Sequence, residues 1–497
     1  MNSRVVALNN RAFRSDGEYV LYWQVMSRRT TYNFALERAV SHARELSKPL
    51  VVLEPLRIGY RWASDRLHQF CIDGMSDNAA SYAKAGVAYY PFVEPAEGDG
   101  KGLLEALARN ACVVVTDDYP EFFLPRMLSA AGSALDRIGV RLEAVDSNGL
   151  LPVHAVDKPY AYAHQFRRLL QQRLPELLGD FPAANPLRGV RGLSAMTAAA
   201  KKILAAVEAR WPKVAVGRNE KEGLVRRLAI DHSVGVVERR GGSRAATKVL
   251  RRFLEMRLPR YIDDRTDLDD PAASELSPYL HWGFISAHEI FAELAESESW
   301  TPLRLAPKPN GKREGWWGMT KPAESFLDEL ITWRELSFNG SAHLPNHDKY
   351  ESLPQWALDT LEVHSADRRP AIYSLEQLER GETSDPLWNA AQGQLRADGF
   401  IHNYMRMLWG KKIIEWTRHP SEALDVMIEL NNKWSIDGRD PNSYSGIFWV
   451  LGRYDRPWPE RAVFGKVRVM TSASTARKIS VKAYLDRYAG PAREQRP

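Results

Sequence analysis

The chain of 497 residues is 44% hydrophobic and 26% charged, which is typical of a soluble globular protein with more than one domain. Its net charge of +6 leans only weakly towards a polyanionic partner, because many enzymes are as basic. Cys71 and Cys112 are the only cysteines, which excludes a disulfide framework and a four-ligand thiolate metal site and suits a reducing cytosol. Without a run of about 18 apolar residues or an apolar leader segment, we expect a cytoplasmic protein that neither crosses a membrane nor is secreted.

Short apolar runs and helical patterns alternate through residues 1–150. The runs cover residues 18–25, 49–56, 86–93 and 111–118, with a fifth near 141–148. Alternation of helices with continuously apolar strands predicts a parallel sheet covered on both faces, a Rossmann-like α/β domain. No G-x-G-x-x-G motif follows the first strand, and residues 98–102 lack the spacing of a P-loop. The pattern therefore gives no sign that this domain binds a nucleotide in the usual way.

The remaining chain divides into a predicted connector, residues 151–215, and a predicted all-helical domain, residues 216–497. The connector mixes prolines with a basic run at 164–178, and amphipathic helices dominate after it. Tryptophan use is lopsided, since three of the 15 tryptophans precede residue 280 and twelve follow it. The second half is therefore predicted to be built around aromatic surfaces.

Residues 385–416 combine a cation with large aromatic rings on a helical pattern. Trp409 and Trp416 are seven residues apart and return to nearly the same helical face, and Arg406 lies three residues before Trp409. A cation beside such rings suits the binding of an anionic aromatic cofactor and the transfer of electrons to it. Core packing is the alternative, because tryptophans at helical spacing usually fill a core.

Three other segments of the helical half carry candidate residues. The first two each have two interpretations, and the third collects several candidates in one loop-rich run. Ser274 and Ser277 precede a predicted helix start, where their hydroxyls could cradle a phosphate or simply cap the helix. Glu329 and Trp333 share a helical face, which indicates either a carboxyl held beside an indole or a solvated Glu next to a half-buried Trp. The loop-rich run 430–468 holds Asn431, Asp437, Trp449, Arg456 and Arg468. Conventional catalytic motifs and metal-ligand spacings are missing, so no metal site is predicted.

Seven segments in order resemble class II cyclobutane pyrimidine dimer photolyases, in the photolyase/cryptochrome family. They are SPYLHWGFIS, ESFLDELITWREL, YESLPQWALDTLE, TSDPLWNAAQ, YMRMLWGKKIIEWT, DGRDPNSY and DRPWPERAVFGKVR. VLYWQVMSRRTTYNFALERA is also similar to that class's opening strand and helix, so the resemblance covers nearly the whole chain. It implies an N-terminal Rossmann-like antenna domain and a C-terminal all-helical FAD-binding domain. It further implies a monomeric lyase that repairs UV-damaged DNA with reduced FAD and light, with a deazaflavin or folate as a possible second chromophore.

The resemblance also implies a role for each candidate residue. FAD would be held by Tyr261, Ser274, Leu276, Ser277, Arg406, Asp437 and Asn431, with Asn431 facing flavin N5. A pyrimidine dimer flipped out of the duplex would accept an electron beside Glu329, which would hydrogen-bond its carbonyl, and Asn431, Met407, Trp333 and Trp449 would complete the catalytic pocket. The photoreduction relay would run through Trp409, Trp388 and then Trp416 near solvent. Arg456 and Arg468 would hold DNA phosphates.

Three positions depart from the class II pattern. Residues 343–352 and 115–127 differ from the expected sequence, and the second difference bears on the antenna site. Glu275 stands where the class often has Asn, and a carboxylate near DNA would repel phosphate. Two other functions therefore stay open: a cryptochrome-like flavoprotein that senses light or binds DNA without repair, and a helical DNA-binding protein without flavin.

Overall fold

A computed structural model describes residues 2–190, 195–217 and 223–489. Its N-terminal part is a six-stranded sheet in the order β1-β6-β5-β2-β3-β4, parallel except for β1 against β6. The strands are β1 (Val5–Ala7), β2 (Tyr19–Trp23), β3 (Leu50–Leu56), β4 (Ala88–Val93), β5 (Ala111–Asp118) and β6 (Leu142–Asp146). All five predicted strands are confirmed. The sequence missed β1, because three partly buried residues are too short for a periodicity signal.

Four helices cover both faces of this sheet: α1 (Phe34–Glu45), α2 (Asp65–Ala85), α3 (Leu103–Ala108) and α4 (Leu124–Arg137). Side chains of one strand point alternately to the two faces, so Leu21 of β2 enters one apolar core while Val20 and Tyr22 enter the other. Burial on both faces explains the continuously apolar strands. The predicted α/β architecture is confirmed.

The predicted connector contributes one helix to each half of the molecule. Its helices are α5 (Ala163–Leu177) and α6 (Ala198–Arg210). Phe166 of α5 is buried in the core that contains the helices of the second half. Leu204 and Val207 of α6 instead pack into the core on one face of the sheet.

The second half is helical throughout the residues described between 223 and 489, as the sequence predicted; the predicted end of this domain, 490–497, lies outside them. Its helices are α7 (Ser243–Arg252), α8 (Tyr261–Asp264), α9 (Ser277–His281), α10 (Ala287–Ser297), α11 (Lys321–Leu327), α12 (Arg334–His343), α13 (Gln355–Val363), α14 (Leu375–Arg380), α15 (Pro386–Asp398), α16 (Asn403–Trp416), α17 (Pro420–Trp434), α18 (Pro441–Val450), α19 (Ser472–Lys478) and α20 (Lys482–Tyr488). Two π-helical segments, Phe253–Arg257 and Asp328–Trp333, interrupt it. Of the helices described, none is both long and apolar enough to cross a membrane.

The two halves are joined by a shared core and by buried polar contacts. Phe70 of α2 packs against Tyr279 and Phe284 of the helical half, with ring centroids 5.5 Å apart in each pair. Glu335 of α12 accepts hydrogen bonds from the backbone N–H groups of Leu150, at 2.6 Å, and Leu151, at 3.0 Å, just after β6. The helical half is therefore fixed against the carboxyl edge of the sheet.

Candidate functional site

A largely buried ion pair lies at the centre of the predicted cofactor residues. Arg406 on α16 donates from Nη2 to Asp437 Oδ1 at 3.1 Å and from Nη1 to Asn431 Oδ1 at 2.8 Å. Asp437 also accepts from the hydroxyls of Ser277, at 2.6 Å, and Ser435. Burial by itself would raise the pKa of Asp437, but the Arg406 charge and these hydroxyls lower it to about 2. Four residues predicted from three distant segments, Arg406, Asp437, Asn431 and Ser277, thus form one hydrogen-bonded cluster.

Neither Ser274, which precedes α9, nor Ser277, its first residue, caps that helix with its side chain. Leu276 occupies the N-cap position, and the helix has no side-chain capping bond. Ser274 Oγ accepts from Leu276 N at 3.4 Å within the preceding turn, and Ser277 is turned towards Asp437. The capping interpretation is therefore wrong, and Ser277 instead bonds to Asp437 of the Arg406–Asp437 cluster.

Glu275, the departure between these serines, has its charge neutralised by arginines. Its backbone is in the left-handed region with φ of 58°, where non-glycine residues are uncommon. Its carboxylate pairs with Arg257 at 2.8 Å and approaches Arg239 at 3.6 Å. The expected repulsion of phosphate by this carboxylate is thus offset by its pairing with two arginines.

Glu329 lies on the second π-helical segment, which widens the predicted α-helix at the position of the candidate acid. Such segments are frequent at functional sites. Its carboxyl pairs with Arg265 Nη1 at 3.3 Å, and the Arg265 guanidinium is also 5.6 Å from the Tyr261 ring. The side chain is 45% exposed. The pKa of Glu329 is nevertheless raised, because the removal of water by the surrounding protein outweighs the lowering by the charges of Arg265 and Arg313. The sequence analysis missed Arg265, although its i, i+4 spacing from Tyr261 was a usable signal.

A backbone contact links the Glu329 region to the helix that carries Arg406. His402 Nε2 donates to the Arg265 carbonyl at 2.9 Å, and His402 Nδ1 accepts from Tyr404 N at the start of α16. Met407 follows Arg406 on this helix and is partly exposed. The candidate acid and the Arg406 cluster are therefore parts of one connected site.

Trp449 on α18 is half-buried and lies beside two cations, Arg468 and Lys411. Arg468 places its guanidinium 5.6 Å from the Trp449 ring and 4.4 Å from the Trp458 ring. Arg456 is exposed and contacts Trp458 instead, at 5.3 Å. Of the two predicted DNA-binding residues, Arg468 thus borders the predicted lesion wall directly, and Arg456 lies further out on the same loop.

Lys411 is a buried cation beside Trp449 that the sequence analysis did not select. It lies one turn after Met407 on α16, is fully buried, and donates from Nζ to the Val450 carbonyl at the end of α18. Its Nζ is 5.5 Å from the Trp449 ring. Burial lowers the pKa of Lys411 to about 7. The sequence did not indicate that Lys411, in the run LWGKKII, faces inward.

The three tryptophans of the predicted relay contact one another in the predicted order. Trp388 lies nearly parallel to Trp409, with centroids 6.5 Å apart at 3°, and is 5.4 Å from Trp416 at 77°. The expectation that Trp416 lies near solvent is wrong: it is 3% exposed, because Tyr373 and Lys412 pack over its ring. Tyr373 is partly exposed and lies 5.3 Å from Trp416.

The two sequence departures, 115–127 and 343–352, contact each other. His347 Nε2 and Glu121 Oε1 are 2.9 Å apart, and Ser341 Oγ donates to Glu121 Oε2 at 2.6 Å. Next to them, Tyr119 donates to Asp440 at 2.9 Å. The departures therefore form one polar contact between the sheet and the helical half.

Comparisons with known proteins decide the family. No family model matches the chain. It is 34% identical to the deoxyribodipyrimidine photo-lyase of Methanothermobacter thermautotrophicus over 98% of each chain. It is 32% identical to the enzyme of the same name from Potorous tridactylus, over 95% of this chain and 81% of that one. The chain belongs to the deoxyribodipyrimidine photo-lyase family.

Membership of this family makes the protein an enzyme of light-dependent DNA repair, and such photo-lyases are generally FAD-dependent. A further relative, from Arabidopsis thaliana, is 32% identical over 94% of this chain and 88% of its own. Among solved structures, a bacterial class III photolyase from Agrobacterium tumefaciens aligns over 95% of this chain and 86% of that chain, with a TM-score of 0.64. At 18% identity this likeness supports the fold alone.

Proposed function

We propose that this photo-lyase is of class II and splits cyclobutane pyrimidine dimers by electron transfer from reduced FAD. The observation that carries the proposal is the connection of two sites. The buried cluster of Arg406, Asp437 and Asn431 suits a flavin, and it is joined through His402 and Arg265 to the carboxyl of Glu329.

The residues of the cluster fit the charges and hydrogen-bonding groups of FAD. Arg406 offers a largely buried cation for an anionic ring, and Asp437, with its lowered pKa, stays ionised and holds the guanidinium in place. Asn431 is 2% exposed and bonds to both Arg406 and Ser443, so its amide is fixed for a contact with the ring. Ser274, Leu276, Ser277 and Tyr261 would hold the rest of the cofactor. When bound, reduced FAD supplies the light-excited electron that opens the cyclobutane ring.

The lesion would enter between Glu329 and Trp449. Glu329 in its protonated form donates a hydrogen bond to a dimer carbonyl, and this bond strengthens as the dimer gains negative charge. Trp333, Trp449 and Met407 present partly exposed apolar surface to the extruded bases. Arg456 and Arg468 bind the phosphates beside the emptied position in the stack.

The tryptophan relay would reduce FAD that has become oxidised; it would not be needed in each turnover, because the electron returns after the ring has split. Trp409 would donate the first electron. Trp388 would then donate an electron to Trp409, and Trp416 to Trp388; the rings in each pair lie within 6.5 Å of each other. Because Trp416 is buried, we place the exit to solvent at the partly exposed Tyr373.

The possible antenna chromophore, a deazaflavin or a folate, would bind at the carboxyl edge of the sheet, where doubly wound sheets hold their ligands. The loops at this edge carry Trp62 and Phe122, whose rings stack at 5.8 Å, and Arg57, which lies 5.5 Å from the Phe123 ring. The absorption spectrum of the purified protein, compared with that of FAD alone, tests whether a second chromophore is present.

The decisive experiment measures dimer loss in UV-irradiated DNA under blue light against a dark control. Light-dependent loss of cyclobutane dimers with FAD-loaded protein is the expected result. Reversible photoreduction without any dimer loss would contradict the proposal and would favour a light-sensing flavoprotein. A protein without flavin absorption near roughly 370 and 450 nm would contradict the FAD assignment itself.

A further inference from the structure

The segment between α10 and α11 exposes a cluster of cations that the site described above does not use. From residue 304 to residue 313 the chain has four cations and no acidic residue, namely Arg304, Lys308, Lys312 and Arg313, and all four are exposed. Residues 304–313 are referred to as the basic loop. Among the residues described, no carboxylate pairs with Lys308 or Lys312, and Arg313 only approaches Asp328, at 3.7 Å.

The basic loop is held in one conformation by α5 and by its own sequence. Gln171 of α5 accepts from Gly311 N at 2.7 Å and donates to the Lys312 carbonyl at 3.1 Å. Gly311 has φ of 71° and lies so close to α5 that a Cβ there would be 3.0 Å from a backbone oxygen. Pro307 and Pro309 restrict the backbone on either side of Lys308. Cations presented in this way lose little backbone freedom when they bind an anion.

The loop is also tied to the segment that carries Glu329. Arg167 of α5 pairs with both carboxylate oxygens of Asp328, at 2.6 and 3.0 Å, and donates to the Gly311 carbonyl at 3.1 Å. Asp328 directly precedes Glu329, and the charge of Arg313 lowers the pKa of Glu329. The basic loop therefore borders the wall of the lesion site that lies at Glu329, whereas Arg468 borders Trp449.

We propose that the basic loop binds DNA phosphates on the Glu329 side of the lesion, as a contact separate from Arg456 and Arg468. This inference rests on the proposed repair function. When a nucleotide is extruded, a charged backbone continues on both sides of it, and phosphate contacts hold the duplex in register. Exposed Arg168 extends the cationic surface, since its Cβ is 3.4 Å from the Cβ position of Gly311.

The test is the salt dependence of binding to a duplex with a single cyclobutane dimer. Lys308→Gln with Lys312→Gln should weaken binding and reduce the slope of log Kd against log salt by about 1.8, the effect of losing two phosphate contacts. Lys84→Gln with Arg137→Gln removes the same charge from exposed sites on α2 and α4, and should keep the wild-type slope. FAD content and thermal midpoint establish that each variant is folded.

Duplexes shortened on one side of the dimer locate the contact. The difference in binding affinity between wild type and the loop variant should vanish when the duplex on one side of the dimer is removed. It should persist when the duplex on the other side is removed. An unchanged slope in the loop variant, alongside a reduced slope in Arg468→Ala, would overturn the basic-loop contact and leave the proposed function standing. A wild-type protein that splits no dimers and binds damaged and undamaged duplexes equally would overturn the proposed function and this inference with it.

Discussion

At the scale of single residues, the protonation of Glu329 would decide whether it can play its proposed role as a donor to the dimer. Surrounding protein raises the pKa of this carboxyl, and the Arg265 charge at 3.3 Å lowers it. A lesion bound as proposed would remove more water and strengthen the first effect. The pKa of Glu329 would therefore rise further when DNA is bound, and the Arg265 charge opposes this rise.

Replacing Glu329 separates lesion binding from ring splitting. Glu329→Ala should lower the splitting yield more than the affinity. The yield should fall by about tenfold to a hundredfold at most, since one hydrogen bond to a charged group contributes roughly 1.5–3 kcal/mol. Wild-type yield should fall as pH rises through the pKa of Glu329, while Glu329→Gln, whose amide donates at every pH, should stay flat. Repair per absorbed photon with dimer-saturated enzyme measures both effects. A wild-type yield in saturated Glu329→Ala would reduce this residue to a binding role.

Lys411 gives the fold a pH dependence of its own. Its pKa is about 7 in the folded chain and near 10.5 when unfolded, so between these values only the unfolded chain holds the proton. Stability should therefore rise with pH from about 7 towards 10. Lys411→Met should flatten this rise in thermal midpoints, whereas Lys84→Met, at an exposed site, should keep it. A Lys411→Met curve parallel to wild type would show that the buried amine stays charged.

At the scale of elements, α15 and α16 hold the three tryptophans of the proposed relay in contact with one another. Trp388 donates from Nε1 to the Trp409 carbonyl, and Trp409 donates from Nε1 to Gln392, each at 2.9 Å. These bonds fix the ring orientations, which are those of a packed core. Core packing and electron transfer are thus compatible here.

Trp409→Phe tests the relay. Photoreduction of oxidised flavin should be lost, because phenylalanine is much harder to oxidise, while repair by chemically reduced enzyme should stay near the wild-type level. Trp434→Phe is the matched control, since this residue lies in the same core and bonds to Glu379 instead of to the relay. Flash photolysis measures the rates. Equal photoreduction in Trp409→Phe and Trp434→Phe would return Trp409 to a packing role.

At the scale of the whole molecule, Glu335 joins the halves with a carboxyl that has little access to water. Burial raises the pKa of Glu335 to about 7, against 4.5 in the unfolded chain. Between these values the folded chain holds a proton that the unfolded chain has lost, so stability should fall as pH rises through this window. Glu335→Gln should remove that fall in calorimetric midpoints, and Glu422→Gln, outside this contact, should not. Identical profiles of calorimetric midpoint against pH for Glu335→Gln and wild type would show that Glu335 does not cause the fall in stability.

The fold was largely predictable from the sequence, because burial on two faces imposes continuous apolar strands and burial on one face imposes helical periodicity. The strands from Tyr19 to Asp146 and the helical second half follow from these local patterns. The docking of α5 on the helical half and of α6 on the sheet could not be predicted from these patterns, since a periodic pattern shows that a face is apolar but not what covers it.

The candidate site divides in the same way between local and tertiary information. Arg406, Asp437, Glu329 and the tryptophans could be selected from sequence, because residue type and spacing limit the chemistry that each can perform. The Arg265–Glu329 pair, the inward direction of Lys411 and the burial of Trp416 were decided only by the tertiary structure. Each depends on partners many residues away or on neighbouring helices, and chain spacing carries no information about such contacts.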